Sequence, residues 1–314
     1  MLSRTANDLF WMSRHMERAE NTARMLDVTY RLALLPYRVI EAGEKWAEPW
    51  AVPLVITGLA KQYYAKHSEL NAERVIQFMV FDQGNPSSIY SSLQLARENA
   101  RGQRGATTSE MWENINDTWL QLQRYRAAGS PVDSSFFDWV KERSHMFRGI
   151  TSATLRQDQP YLFIRLGTFI ERGDNTARIL SVKQAPGSAG PEEDGLSGYY
   201  SLSAVLRSVS AFEAYRDTYR DTIDARRVAE LLIFDARLPR SLRFCVEQVD
   251  RILQDLPEQP GRLPRRLAAI LRSRLAYGVL DEVYSYGLHG FLERFLRENV
   301  RLGDALNMAY LELK

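Results

Sequence analysis

The sequence holds one cysteine, Cys245, so it can build neither an intrachain disulfide nor a cysteine-based metal site, a usage that fits a reducing compartment. Its histidines, His15, His67, His145 and His289, are scattered, with no His-x-x-x-His pair and no companion cysteine. A zinc-type centre therefore lacks its ligands, and no metal or other cofactor is expected. There is no Gly-x-Ser-x-Gly elbow and no phosphate-cradling glycine loop, which leaves nucleophilic hydrolysis and nucleotide binding unsignalled by this chain. No window offers the roughly 18 consecutive apolar residues of a membrane span. The N-terminal segment carries Arg4, Asp8, Arg14, Glu17 and Arg18 among its apolar positions, which is not the core of a signal peptide. A cytoplasmic protein is expected. The net charge of +2 sets no electrostatic requirement for nucleic acid or an anionic membrane as partner. Strand-type alternation is missing too, and no Asn-Gly or Asp-Gly pair joins two such runs, so the fold class expected is all-α.

What is present is a repeated stretch. His15–Leu26 reads H-M-E-R-A-E-N-T-A-R-M-L and returns at Phe169–Leu180 as F-I-E-R-G-D-N-T-A-R-I-L. In register, Glu17 answers to Glu171, Arg18 to Arg172, Glu20 to Asp174, Asn21 to Asn175, Thr22 to Thr176 and Arg24 to Arg178, an offset of 154. Pro239 with Ser241 stands where Pro86 with Ser88 stood, at an offset of 153. A single 1–314 domain is expected, a helical bundle of two pseudo-equivalent halves, 1–153 and 154–314, packed as one body.

Leu9, Met12, Met16, Ala19, Ala23 and Leu26 recur at steps of three and four without an interrupting Gly or Pro from Ser3 to Leu35, which predicts one long helix. Further helices are expected over Pro53–Lys66, Ala72–Val80, a segment opening with Asn85 as N-cap and Pro86 at its first position and running to Arg101, Ser109–Ala127, Ser134–Ala153 and Asp158–Lys183. Ala42–Pro49, pinned by Trp46 and Trp50, and the Pro- and Gly-rich Ala185–Gly195 read as loops, the second a flexible one.

On a helix Glu17, Asn21 and Arg24 share one face, with Glu20 beside them and Arg18 and Thr22 on a flank. That face borders the apolar stripe, which puts charge at a helix–helix seam where Ala19, Ala23, Gly173 and Ala177 permit close approach; buried charge there must be paired. If the two motif helices pack about a pseudo-twofold axis, Glu17 and Glu171 each meet an Arg of the other half. Two readings stay open: a polar clamp that fixes register, or a site for carboxylate or amine groups of a ligand.

The chain resembles the bacterial alpha-E family, an all-helical domain named for an embedded Glu-Arg motif. The resemblance rests on Met16-Glu17-Arg18-Ala19-Glu20-Asn21-Thr22-Ala23-Arg24, on Phe81-Asp82 through Asn85-Pro86-x-Ser88, on Arg97-Glu98-Asn99-Ala100-Arg101, and on Ser109-Glu110-Met111-Trp112. It implies a role beside an ATP-grasp-type ligase of circularly permuted type, often with a transglutaminase-like protein, in a system that forms or modifies peptides, with a peptide or amino acid as substrate. It implies no particular reaction.

The expected binding residues are thus Glu17, Arg18, Asn21 and Arg24 with Glu171, Arg172, Asp174, Asn175 and Arg178, and Glu17 or Glu171 as general base if the chain is itself an enzyme. Weaker candidates are Asp82 and Ser88 at a helix start and Arg97 with Arg101 in a basic run; plain capping and a solvated helix face are the favoured explanations of these. The competing function is a non-catalytic helical scaffold whose seam is purely structural.

Overall fold

The computed structural model describes residues 1–34, 49–182 and 196–312; the loop expected at Ala185–Gly195, Trp46 and most of Ala42–Pro49 lie outside them. Among the described residues there are fifteen α-helices, a closing π-helical turn and no strand. The protein is all-α.

Helix α1 (Ser3–Ala33) carries the first motif and α8 (Gln159–Val182) the second. The two run in the same direction and in register. The Met1 amino group meets Gln159 Oε1 at 3.1 Å, and further along Arg172 reaches Glu17 at 2.8 Å. Each then gathers its own partners. α1 packs with α5 (Ile89–Gly102) and α7 (Ser134–Thr154), which are bridged by α6 (Ser109–Ala127). α8 packs with α12 (Leu242–Asp255) and α15 (Leu288–Leu306), which are bridged by α13 (Glu258–Tyr277). α2 (Ala51–Ile56) and α9 (Leu196–Ser208) each touch both central helices. One apolar core runs through the whole, from Leu9, Met12 and Leu26 to Leu232, Leu292 and Leu302.

The remaining short helices are α3 (Ala60–Tyr64), α4 (Ala72–Val80), α10 (Phe212–Tyr219), α11 (Ala225–Phe234) and α14 (Leu280–Tyr286). Helix starts follow side-chain chemistry. Asn71, Thr108, Asp133, Asp224 and Ser241 each accept backbone N–H bonds that the first turn cannot satisfy internally.

Two boundaries differ from expectation. Pro53–Lys66 is not one helix, because Gly58 takes the left-handed conformation, φ +71°, and splits it into α2 and α3. Asn85 does not cap α5. It is buried in the preceding turn, donating from Nδ2 to the Phe78 carbonyl at 3.0 Å and accepting from Ser87 N at 2.9 Å. Ser88 is the cap, accepting from Ser91 N at 3.0 Å, so Pro86 lies outside the helix.

α8 comes against the α1 backbone at Gly167, six residues before Gly173. A Cβ there would sit 2.1 Å from Ser13 Oγ and 2.2 Å from the Phe10 carbonyl oxygen, whereas one on Gly173 would meet Cys245 and Phe295 at 3.5 and 3.7 Å. Gly167→Ala should therefore cost about 1–3 kcal/mol by forcing the central pair apart. Gly173→Ala should be neutral or slightly stabilising through helix propensity. Urea midpoints of the two variants check this ranking, and equal midpoints would contradict the close approach.

Candidate functional site

The seam between α1 and α8 holds two reciprocal ion pairs. Glu17 of α1 takes Arg172 of α8 in a two-point contact, Nε to Oε1 at 2.8 Å and Nη2 to Oε2 at 3.0 Å. Glu171 of α8 takes Arg18 of α1 in the same manner, at 2.6 and 3.1 Å. Adjacent Glu and Arg side chains leave a helix in neighbouring directions, so when two such helices lie in parallel register each acid faces the other helix's guanidinium. Bidentate geometry is the strong form of this contact. Arg18, expected on a flank, is thus a member of the seam.

Beyond this exchange the two motifs differ. Around the first, the carboxylates of Glu17 and Glu20 are fully buried and draw arginines from three other places. Arg240, in the turn before α12, bridges Glu17 at 3.0 Å and Glu20 at 2.6 Å, and donates to Asn21 Oδ1 at 2.8 Å. Arg148 of α7 reaches Glu17 at 3.0 Å and also binds Glu20. Arg24, one turn on, holds Glu20 at 2.8 Å and touches His145 Nε2 at 2.9 Å. Ser144 completes the shell, donating to Glu20 at 2.8 Å. Around the second motif, Arg14 joins Arg18 on Glu171 at 2.9 Å, and Arg178 closes on Asp174 at 2.6 Å. Asn175 remains only partly buried, and its Nδ2, like that of Asn21, has no partner among the described residues.

The electrostatics follow from burial opposed by guanidinium. Burial pushes the carboxyl of Glu17 upward, but Arg172, Arg240 and Arg148 outweigh it and hold the group below the ordinary range. Glu20 is held lower still against burial by Arg240, His145, Arg148 and Arg24. Glu171, likewise raised by burial, is brought to about 2 by Arg18 and Arg14. A general base works best with a pKa near the operating pH; carboxylates held this acidic, with their oxygens engaged by arginine, are suited to pairing and not to proton abstraction. Burial pushes the Cys245 thiol up to about 12, so it is not a poised nucleophile.

The seam carries surplus positive charge. Around Glu17 and Glu20 stand Arg24, Arg148, Arg172 and Arg240, four cations against two anions. Arg24 and Arg148 form its solvent edge, with side chains 13% and 27% exposed. Arg24 also lines a cleft of about 570 Å³ between α1, α7, α9 and α10.

The weaker sequence candidates are engaged elsewhere. Asp82 pairs with Lys66 at 2.6 Å and accepts from Gly84 N at 2.7 Å, locking a turn. Arg97 binds Asn116 at 2.9 Å and lies with Arg104 over the Trp112 ring, while Arg101 pairs with Glu98 at 3.3 Å on the surface. Arg148 and Arg240 lie outside the repeated motif, and nothing in their local sequence marks them as its partners. The position that matches Arg240 in the first half, at an offset of 153, is Ser87, so the repeat itself pointed away from it. Arg14 had a signal: it lies one turn before Arg18 on the same helix face.

These features define an all-α protein built on a parallel helix pair that exchanges buried Glu-Arg contacts. The chain belongs to the Alpha-E family, a predicted alpha-helical domain with a conserved ER motif, whose model matches residues 1–311. The geometry gives that motif a physical meaning, because Glu17-Arg18 and Glu171-Arg172 complete one another. The chain is 26% identical over 322 residues to an uncharacterized protein of Mycobacterium bovis and 26% identical over 325 residues to one of Mycobacterium tuberculosis. Each alignment covers 93% of this chain and 35% of the relative, so the chain spans about a third of the length of the curated relatives it matches. No solved structure matches it. No helix among the described residues is long and apolar enough to cross a membrane.

Proposed function

We propose that the chain is a helical component of an ATP-grasp-ligase-linked system that synthesises or modifies peptides, and that it takes up substrate carboxylate groups at the cationic edge of its Glu-Arg seam. The observation that carries this reading is the surplus of guanidinium around Glu17 and Glu20. Buried charge left uncompensated is costly, so a site with four arginines, two of them reaching solvent, is suited to a further anion. The ligase, and a transglutaminase-like protein beside it, are the partners this reading names. The acids anchor the arginines; they are not the reacting groups.

We further propose that the two halves descend from one duplicated unit. The spans of α5 and α12 are offset by 153 residues at both ends, Ser88 and Ser241 cap them in the same way, and the Glu-Arg exchange is reciprocal. On this reading the second motif retained the clamp, while Arg148 and Arg240 turned the first into a site.

The test is reconstitution with a circularly permuted ATP-grasp-type ligase, the partner this reading names. ATP-dependent amide formation should rise at least tenfold when the chain is added, and Arg148→Gln should remove most of that gain with little change in melting temperature. A rate indifferent to the chain would reject the ligase reading and favour the competing one, a scaffold. The many bonds that satisfy the acids internally are the observation on that side.

A further inference from the structure

We propose that the cleft between α1, α7, α9 and α10 is a binding site for a short acidic peptide, with its carboxylates on Arg24 and Arg207 and its carbon skeleton against an apolar wall. This assignment rests on the carboxylate-binding reading above and deepens it by giving the site a location and a ligand class.

The volume, about 570 Å³, lies in the range of small-ligand clefts, roughly 300–1,000 Å³, and accommodates a di- or tripeptide. Charge sets the sign. The lining includes Arg24, Arg31, Lys141 and Arg207 against Asp27 and Glu213, an excess of two positive charges. Asp27 is already committed, to Arg31 at 2.9 Å and Lys141 at 2.9 Å. Arg24 points back to Glu20, inside the seam whose cations outnumber its acids.

Arg207 is different. Among the described residues it has no ion-pair partner, although Glu213 lines the same cleft six positions on. Its guanidinium lies over the Phe212 ring, 4.1 Å from the centre, a cation–π contact that consumes none of its N–H groups. Val28, Leu32, Tyr200 and Phe212 supply apolar lining. Ser203, also in the wall, is 6% exposed, and its hydroxyl is buried with no partner among the described residues. A buried hydroxyl left unpaired is unfavourable, and in the wall of the cleft it is a spare hydrogen-bonding group beside a ligand. A site with fixed and spare donors, an apolar wall and surplus positive charge favours a ligand with two or more carboxylates on a short skeleton over a lone inorganic anion.

Calorimetric titration of the full chain with the dipeptide Glu-Glu, with Lys-Lys and with inorganic phosphate tests this. Glu-Glu should bind, Lys-Lys should give no heat, and phosphate should bind at least tenfold more weakly than Glu-Glu. Arg207→Glu should weaken Glu-Glu binding at least tenfold without changing the melting temperature, since Arg207 is exposed. The control Arg156→Glu, on the surface between α7 and α8 with its side chain 89% exposed, should leave binding unchanged. No binding of Glu-Glu, equal binding by Arg207→Glu, or phosphate binding as tightly as Glu-Glu would each overturn the assignment, the last by reducing the cleft to a generic anion site. The ligase assay separates the two readings. Glu-Glu binding with no effect on amide formation leaves the cleft standing and rejects the ligase role; stimulation without Glu-Glu binding rejects the cleft alone.

Discussion

Glu17→Ala should be the more damaging of the two motif-acid substitutions, lowering stability by about 3–5 kcal/mol, the range for breaking a buried ion pair. Glu17 is the common partner of Arg172, Arg240 and Arg148, and the side chains of Arg172 and Arg240 are 9% and 7% exposed. Its removal leaves Glu20 alone among four arginines. Glu171→Ala should cost less, because its partners Arg14 and Arg18 are 18% and 23% exposed and regain water when released. The symmetry of the two motifs in sequence suggests equal penalties; the structure ranks them. Denaturant unfolding of both variants decides the matter, and a Glu171→Ala protein less stable than Glu17→Ala would refute the ranking. Exchanging Glu17 and Arg172 together for apolar residues, which for an isolated buried pair is often close to neutral, should here remain destabilising, since Arg240 and Arg148 would still lack one of their acids.

The second large effect is loss of stability in acid, in two stages. His15 is buried beside Trp11, ring centroids 5.6 Å apart, with Nδ1 unpartnered among the described residues. Burial, followed by the neighbouring Arg18, lowers its pKa from 6.5 to about 4. The unfolded chain therefore binds a proton at His15 that the folded chain refuses. Stability is full above the unfolded value of 6.5 and drains as pH falls toward about 4, by about 3 kcal/mol at most. Glu171 adds a second stage. Arginine pairing, working against burial, brings its pKa from 4.5 to about 2. Its contribution is present above pH 4.5 and is lost through the interval down to about 2, again by about 3 kcal/mol. Glu17 and Glu20 shift in the same direction and steepen this lower stage. Unfolding free energy followed from pH 7 to pH 3 should fall throughout, and His15→Phe should flatten the upper limb while leaving the lower one. An unchanged slope between pH 6.5 and 4 in that variant would show that His15 is not the group responsible.

Much of the site was legible because it is local. Glu17, Asn21 and Arg24 share a face by the geometry of any α-helix, and a Glu-Arg pair repeated on two parallel helices is self-complementary, so the contacts Glu17–Arg172 and Arg18–Glu171 follow from the sequence once the helices are taken to pack in register. The helical character of the chain follows similarly from apolar spacing and from capping residues such as Asn71 and Asp133, whose chemistry acts within four positions. Where local chemistry had more than one solution the reading failed. Asn85 and Ser88 are both good caps, and only burial of Asn85 against the Phe78 carbonyl leaves Ser88 to start the helix.

By itself, then, the sequence determined the all-helical class and the two motif helices, because periodicity, capping and helix-face geometry are short-range; the exchange of acids and arginines between those helices depends on their packing in parallel register, with contacts 153 to 155 residues apart in the chain. Only the tertiary structure decided that Arg148, 131 residues from Glu17, and Arg240, 220 from Glu20, enter the first motif and leave the second without equivalents. It alone brings Arg207 and Arg24 to one cleft. An arginine on a distant helix carries no mark of which acid it will meet; that is fixed by the packing of α7, α9 and the turn before α12 around the central pair, through apolar contacts that do not involve the charges.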